Sequence, residues 1–156
     1  MPRTVRDIEK IWSSAEGIRK LSDRAVGIGP FGVGLDGLLT WIPVVGTAYS
    51  VGAAGLLLIH AARAKASPGT VVKMLAYLGL DTATTAVGEV IPIAPDVVDF
   101  LFPGHAMAAR ALQKDIESTH WVEGSRRQAQ DAGLHDSHID EMKRDPKKRR
   151  VVYLGD

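Results

Sequence analysis

The chain has 156 residues, a net charge of +1 and no cysteine, so a disulfide framework and a thiolate metal site are excluded. Its length is that of one domain, with or without a tail. The 46% apolar content is unevenly spread: in residues 25–62 Asp36 is the only certain charge, and residues 74–102 hold four acids and no base. The charged N-terminus has no apolar signal-peptide region, so membrane insertion is expected to use the chain's own apolar segments.

The first predicted element is an amphipathic helix over residues 4–21. Its apolar residues recur at helical spacing between charged ones: Val5, Ile8, Ile11, Trp12, Ala15, Ile18 and Leu21. Such a helix lies either at a membrane surface, with Trp12 at headgroup level, or against protein. The sequence leaves both placements open.

A glycine-rich segment over residues 27–34 follows the helix. Its Gly27-x-Gly29-x-x-Gly32 spelling matches a dinucleotide fingerprint, but no strand pattern precedes it and Pro30 interrupts it. No acid follows at the position that contacts the ribose. We therefore expect no nucleotide, and no other cofactor.

A repeated unit occupies the apolar middle of the chain. Gly-Leu-Asp, an apolar stretch and Ile-Pro occur once in Gly34–Pro43 and again in Gly79–Pro92. Each copy places an acid, Asp36 or Asp81, and a helix-breaking proline inside an apolar stretch. Membrane proteins keep this combination for structural or transport reasons, so the repeat predicts two membrane-embedded hairpins.

Residues 25–66 form the first predicted hairpin. Apolar helices over residues 31–42 and 47–64 are separated by a predicted break at Pro43–Gly46. The alternative is one kinked span of 38 residues, which at about 1.5 Å per residue measures about 57 Å. Because a bilayer core is about 30 Å thick, the sequence favours a re-entrant hairpin with Pro43 and Gly46 at its tip.

Residues 67–116 form the second predicted hairpin. Ser67 is a predicted N-cap, with Pro68 as the first residue of a helix that runs to about Val90. Pro92 and Pro95 then break the chain. A short helix over residues 96–101 and an amphipathic helix over residues 106–116 complete the unit.

Five acids belong to the predicted membrane hairpins: Asp36, Asp81, Glu89, Asp96 and Asp99. A carboxylate at bilayer depth is costly, so each is expected to face protein, water or a partner. One interpretation is an ion or proton path. The favoured one is structural, in which these acids cap helices, lie near the interface or pair with basic residues.

The tail, residues 117–156, is polar. Helices are predicted over residues 124–131 and 136–144, and a short strand over residues 151–154. His135 and His138 are spaced for two metal ligands, but no third ligand stands at a recognisable spacing, which favours a solvated loop and no metal. No nucleophile motif is present, and no catalytic residue is predicted.

A basic run closes the predicted tail: Lys147, Lys148, Arg149 and Arg150. It is a candidate site for anionic lipid headgroups or a partner protein, with a merely solvated tail as the alternative and nucleic acid not expected. The basic N-terminus, the loop over residues 63–73 and the chain beyond Arg110 should all prefer the cytoplasm. Two hairpins that dip in from one face satisfy all three.

The chain resembles a small membrane family, domain-of-unknown-function family 4112, over about residues 21–112. The residues that carry the resemblance are Gly34–Asp36, Ile42–Gly46, Ile91–Pro92, Asp96 and Asp99. The chain departs from the usual family pattern at Thr47, where an Asp is usual, and at residues 94–95, where Val-Gly is usual. The resemblance implies membrane association and no established activity.

These predictions define an all-α, membrane-embedded protein with an amphipathic N-terminal helix (1–24), two membrane hairpins (25–66 and 67–116) and a soluble, basic-ended tail (117–156). The predicted function is a non-enzymatic scaffold, accessory subunit or assembly partner in a bacterial inner membrane, with cytoplasmic termini. Its predicted partners are the lipid bilayer and a membrane protein or a second copy of the chain. The alternatives are a small oligomeric transporter that uses Asp36, Asp81 and Glu89, and a soluble helical interaction protein.

Overall fold

A computed structural model describes residue 2 and residues 4–26, 43–90 and 104–156, with side chains for residues 2, 4–21, 51–80 and 104–156. Four long helices come first: α1 (Val5–Val26), α2 (Pro43–Arg63), α3 (Pro68–Val90) and α4 (Gly104–Glu117). A smaller unit follows, with β1 (Thr119–Val122), α5 (Arg126–Asp131), α6 (His135–Arg144) and β2 (Arg150–Tyr153). The described part of the chain is therefore mainly helical, as predicted.

The N-terminal helix is confirmed, and α1 extends past the predicted end to Val26. Ile8, Ile11, Ala15 and Ile18 are buried along one face, as the spacing predicted. Opposite charges on the remaining surface form the Glu16–Arg19 ion pair, at 2.6 Å.

Helix α2 begins at Pro43, four residues before the predicted start at Thr47, so Pro43–Gly46 form its first turn. Proline is accepted there because the first helical N–H groups have no intrahelical partner in any case. The start of α3 is confirmed: Ser67 precedes Pro68, and its hydroxyl accepts the N–H of Thr70 at 3.3 Å. The end of α3 at Val90 is also as predicted.

The turn between α2 and α3 is closed by Lys65, which has a positive φ of 46°. The N–H of Ala66 bonds back to the carbonyl of Ala61 at 2.9 Å, a pattern typical of a helix C-terminus with one left-handed residue. The Lys65 ammonium then donates to the carbonyls of Tyr153 and Asp156, both at 2.8 Å. This turn therefore fixes the C-terminal unit to the helices.

Helix α4 lies at the centre and packs against the other three helices. Small and apolar side chains make this possible, since Ala108, Ala109 and Leu112 are completely buried. The pairs Trp12–Glu117 and Glu16–Gln113, at 2.9 and 2.8 Å, run in opposite senses along α1 and α4, so these helices are antiparallel. Hydrogen bonds from Arg19 first, and then Gln113, lower the pKa of Glu16 to about 2.

The bundle therefore has two different ends. The start of α1, the α2–α3 turn and the end of α4 lie together at one end, which we call the cap end. The far end holds the last residue of α1, the first of α2, the last of α3 and the first of α4. Residues 27–42 and 91–103 connect to the bundle at this far end.

The C-terminal unit covers the cap end, and we call residues 119–156 the cap. Strands β1 and β2 pair in parallel, with Thr119 opposite Arg150. The predicted tail helices and final strand are confirmed in type, with α5 capped by Ser125 through a capping box with Gln128. Strand β1 was not predicted. Within the part of the chain that the structure describes, we find no helix with the length and apolar character of a membrane span.

Candidate interaction surface

Helix α2 is apolar on both sides, which is the local feature that defines the candidate surface. One side packs into the bundle through Ala53, Leu57 and Ala61, all buried. On the other side, Val51 is 68% and Ile59 is 56% exposed. A helix that is apolar all round is typical of a position buried on every side, yet among the described residues only one side of α2 is buried.

Helix α3 repeats this arrangement. Met74 and Leu78 are buried against the bundle, whereas Val72, at 65% exposed, and Leu75 face outward. Isolated exposed apolar residues are ordinary, whereas several on two adjacent helices make these side chains a candidate interaction surface. We call this set the apolar surface; it comprises Val51, Leu56, Ile59, Val72, Leu75 and Leu80.

Two glycines leave open space on the outer side of α2. A Cβ added at Gly52 or Gly55 would meet no heavy atom within 4 Å in the structure. Only Ala53 among their neighbours is buried. The two glycines therefore leave open space beside the apolar surface, as judged from the described residues.

The side chains of the sequence-predicted acids all lie outside those that the structure describes. Asp36, Pro92, Asp96 and Asp99 lie outside the described residues. Asp81 and Glu89 lie in the second half of α3, beyond the last side chain described for that helix. Pro43 and Gly46 belong to the first turn of α2. A structural or transport role for these residues stays a prediction.

Trp12 contacts protein at the cap end. Its indole N–H donates to Glu117 at 2.9 Å, and it lines a groove of about 470 Å³ between α1 and the cap. Trp121 and Lys148 form the opposite wall. The inner face of α1 therefore packs against protein, which is one of the two placements that the sequence left open for this helix.

The four predicted basic residues divide into two pairs. Lys147 and Arg149 are exposed, and their binding to lipid or a partner remains a prediction. The Lys148 ammonium donates to the carbonyls of Glu117 and Thr119, at 2.8 and 3.0 Å. Arg150 forms an ion pair with Asp115 at 2.6 Å. These two cations therefore stabilise the junction between cap and bundle.

Asp115 is the centre of that junction and is itself buried. One oxygen accepts the hydroxyls of Ser67 and Thr70, at 2.7 and 3.0 Å. The other accepts the Ser67 N–H and the Arg150 guanidinium, at 3.2 and 2.6 Å. A buried carboxylate is tolerated when its lone pairs are satisfied in this way. Asp115 thereby joins α4 to the start of α3 and to β2.

A second buried polar group links α1 to α2. The Nε2 atom of His60 lies 2.9 Å from the hydroxyl of Ser14, and its Nδ1 atom has no hydrogen-bond partner in the structure described. Burial, with a smaller effect from Arg63, lowers the pKa of His60 below 6.5. The neutral imidazole is the form that suits this position.

Three potential metal ligands converge where α6 lies against β1. His138 and Glu141 share one face of α6, and His120 faces them from β1. A Glu141 oxygen is 3.5 Å from Nε2 of His120 and 3.7 Å from Nδ1 of His138. The sequence interpretation considered His135 with His138, whereas Nδ1 of His135 lies 2.8 Å from the Tyr153 hydroxyl.

Within the described ranges, 4–26, 43–90 and 104–156, these features define four packed helices closed at one end by a small αβ cap. The chain belongs to the family described as Domain of unknown function (DUF4112), whose model matches residues 11–116. The resemblance drawn from the sequence is thus confirmed. The matched segment runs from α1 to the end of α4 and stops before the cap. No curated protein and no solved structure matches the chain.

Proposed function

We propose that this protein is a non-enzymatic membrane component that anchors its bundle in lipid through the apolar surface and presents the cap to the cytoplasm. The observation that carries the proposal is the exposure of large apolar side chains on α2 and α3. Burying one Val, Leu or Ile side chain contributes about 1.5–3 kcal/mol. Six such side chains offer a membrane ample binding free energy.

Lipid is the proposed occupant because the neighbouring chain is also apolar. Asp36 is the only certain charge in residues 25–62, and residues 74–102 contain no base. The stretches 27–42 and 91–103 connect at the far end, opposite the cap. Basic residues occur instead near the cap end, with Arg63 and Lys73 exposed beside the α2–α3 turn. This distribution supports a cytoplasmic cap.

A scaffold or assembly role is proposed because the bundle and the cap are separate surfaces. The apolar surface would hold the protein in the bilayer, while the exposed Lys147 and Arg149 and the groove beside Trp12 remain available at the other end. A protein partner that binds the cap would thereby be held at the membrane.

Vesicle flotation of the full-length chain tests the lipid assignment. Purified protein is transferred from mild detergent into vesicles of phosphatidylethanolamine and phosphatidylglycerol, and the fraction that floats in a density gradient is measured. We expect Ile59→Lys and Val72→Lys each to weaken binding by at least about tenfold, because each removes apolar burial and adds a charge.

The matched control is Ser137→Lys, which adds the same charge at an exposed position of α6. It should float like the wild type. Equal flotation of all four proteins, or equal loss in the control, would contradict the proposed lipid-binding surface.

A further inference from the structure

Helix α6 is attached to the protein in an unusual way. None of its residues, all of which the structure describes, is buried, and its first turn has no side-chain cap. A helix of ten residues is too short to be stable without tertiary contacts. The apolar core of the cap is small, with Val122, Ala129 and Tyr153 as its buried members. Polar contacts, such as that of His135 with the Tyr153 hydroxyl, therefore contribute to holding α6 in place.

The polar groups that face β1 are incompletely paired. The Nδ1 atom of His138 is buried and has no hydrogen-bond partner among the described residues. Its separation from Glu141, 3.7 Å, and that between His120 and Glu141, 3.5 Å, are too long for hydrogen bonds. Burying a nitrogen without a hydrogen-bond partner is costly, unless a water molecule or an ion binds it.

We propose that His120, His138 and Glu141 bind one divalent transition-metal ion, with zinc as the probe, and that this ion fastens α6 to β1. Two imidazoles and a carboxylate are a common protein ligand set for zinc. Tetrahedral ligands about 2.1 Å from an ion lie about 3.4 Å apart. The three ligand atoms here all lie within 4.8 Å of one another, so small side-chain movements complete the geometry.

Each of the three side chains can shift toward a shared ion without disturbing the apolar core of the cap. Glu141 is 55% exposed, and the two imidazoles are about one quarter exposed. A solvent molecule would take the fourth position. Because imidazole ligands favour zinc and its neighbours over magnesium, the site should discriminate between these ions. The site lies outside the residues that the family model matches, so it would be a property of the cap.

Isothermal titration of the full-length chain tests this proposal. The protein carries a purification tag without histidine and is treated with a chelator before zinc chloride or magnesium chloride is added. We expect one zinc ion per chain and no magnesium binding. His120→Ala, His138→Ala and Glu141→Gln should each weaken zinc binding by at least about tenfold, since each removes one ligand.

The control is His135→Ala, one turn earlier on the same face of α6, where the imidazole contacts Tyr153. It should bind zinc like the wild type. Circular dichroism checks that each variant is folded, and Glu141→Gln tests the site at an exposed side chain. A wild type without saturable zinc binding, or a His135→Ala loss equal to that of His138→Ala, would overturn the proposal.

Discussion

At the scale of single residues, buried polar groups show where the bundle depends on protonation. His60 is nearly inaccessible, at 9% exposed, and only one of its ring nitrogens has a described partner, Ser14. Protonation would place a second charge beside Arg63, whose effect already adds to burial in lowering the pKa of His60. A neutral His60 therefore stabilises the contact between α1 and α2.

This arrangement predicts the direction of a pH dependence. Because the folded pKa of His60 lies below 6.5, the unfolded chain binds a proton first as the pH falls. Stability is then lost below about pH 6.5, by at most about 1.4 kcal/mol for each pH unit. Urea unfolding between pH 7.5 and 5.5 should show this loss in the wild type.

His60→Gln is the matched variant, because its amide can still bond to Ser14 but does not titrate. Its free energy of unfolding should fall less over the same interval, and the difference isolates His60 from the other histidines. Parallel pH profiles for the two proteins would show that His60 does not contribute. The Glu16 carboxylate, with a pKa of about 2, stays ionised throughout this interval.

At the scale of helices and strands, Asp115 determines how the cap and the bundle meet. Asp115→Ala would leave Arg150, Ser67 and Thr70 without their shared acceptor. Removing one partner of a buried ion pair typically costs about 3–5 kcal/mol, and the partial exposure of Arg150, 27%, places this site near the lower figure. Urea unfolding followed by tryptophan fluorescence should therefore show a loss of about 3 kcal/mol.

Lys147→Gln is the control for that prediction. It removes a cation from the same basic run at an exposed position, where substitutions usually change stability by less than about 0.5 kcal/mol. If Asp115→Ala proved no more destabilising than Lys147→Gln, the junction would not depend on Asp115.

Local sequence signals predicted helix ends correctly where a residue type has a single structural role. Ser67 followed by Pro68 predicted the start of α3 correctly, because capping and proline geometry are both local. Pro43 did not specify where α2 begins, since proline either breaks a helix or begins one, and the apolar residues on both sides do not distinguish these cases. The exposure of Gly52 and Gly55 depends on which segments pack against α2. The helical spacing of the sequence does not specify those segments.

The sequence patterns did not predict the contacts between segments that are distant in the chain. Strand β1 has four residues and pairs with a strand about thirty residues later, so its own length gave no clear strand signal, whereas β2 was predicted. Arg150 belonged to a basic run that looked solvated, and its partner Asp115 lies in a helix before the cap. The ligand set joins His138 and Glu141 with His120 on another element. The spacing His135-x-x-His138-x-x-Glu141 was the one local signal available.

At the scale of the whole molecule, the bundle combines two ends of opposite character. The cap end is closed by Lys65, Lys148 and Arg150, which all donate to backbone carbonyls of neighbouring segments. At the far end, the described helices end or begin at Val26, Pro43, Val90 and Gly104. The family match covers the bundle and ends at residue 116. The cap lies beyond the matched residues.

Lipid contact at the apolar surface is the central claim, and site-directed fluorescence in vesicles tests it most directly. Since the chain has no cysteine, single cysteines at Ile59, Val72 and Ser137 each accept one environment-sensitive label. Vesicles that contain a lipid-attached quencher should reduce the emission at Ile59 and Val72 and spare Ser137 in the cap. If the labels at Ile59 and Val72 are quenched no more than the label at Ser137, the apolar surface does not contact lipid.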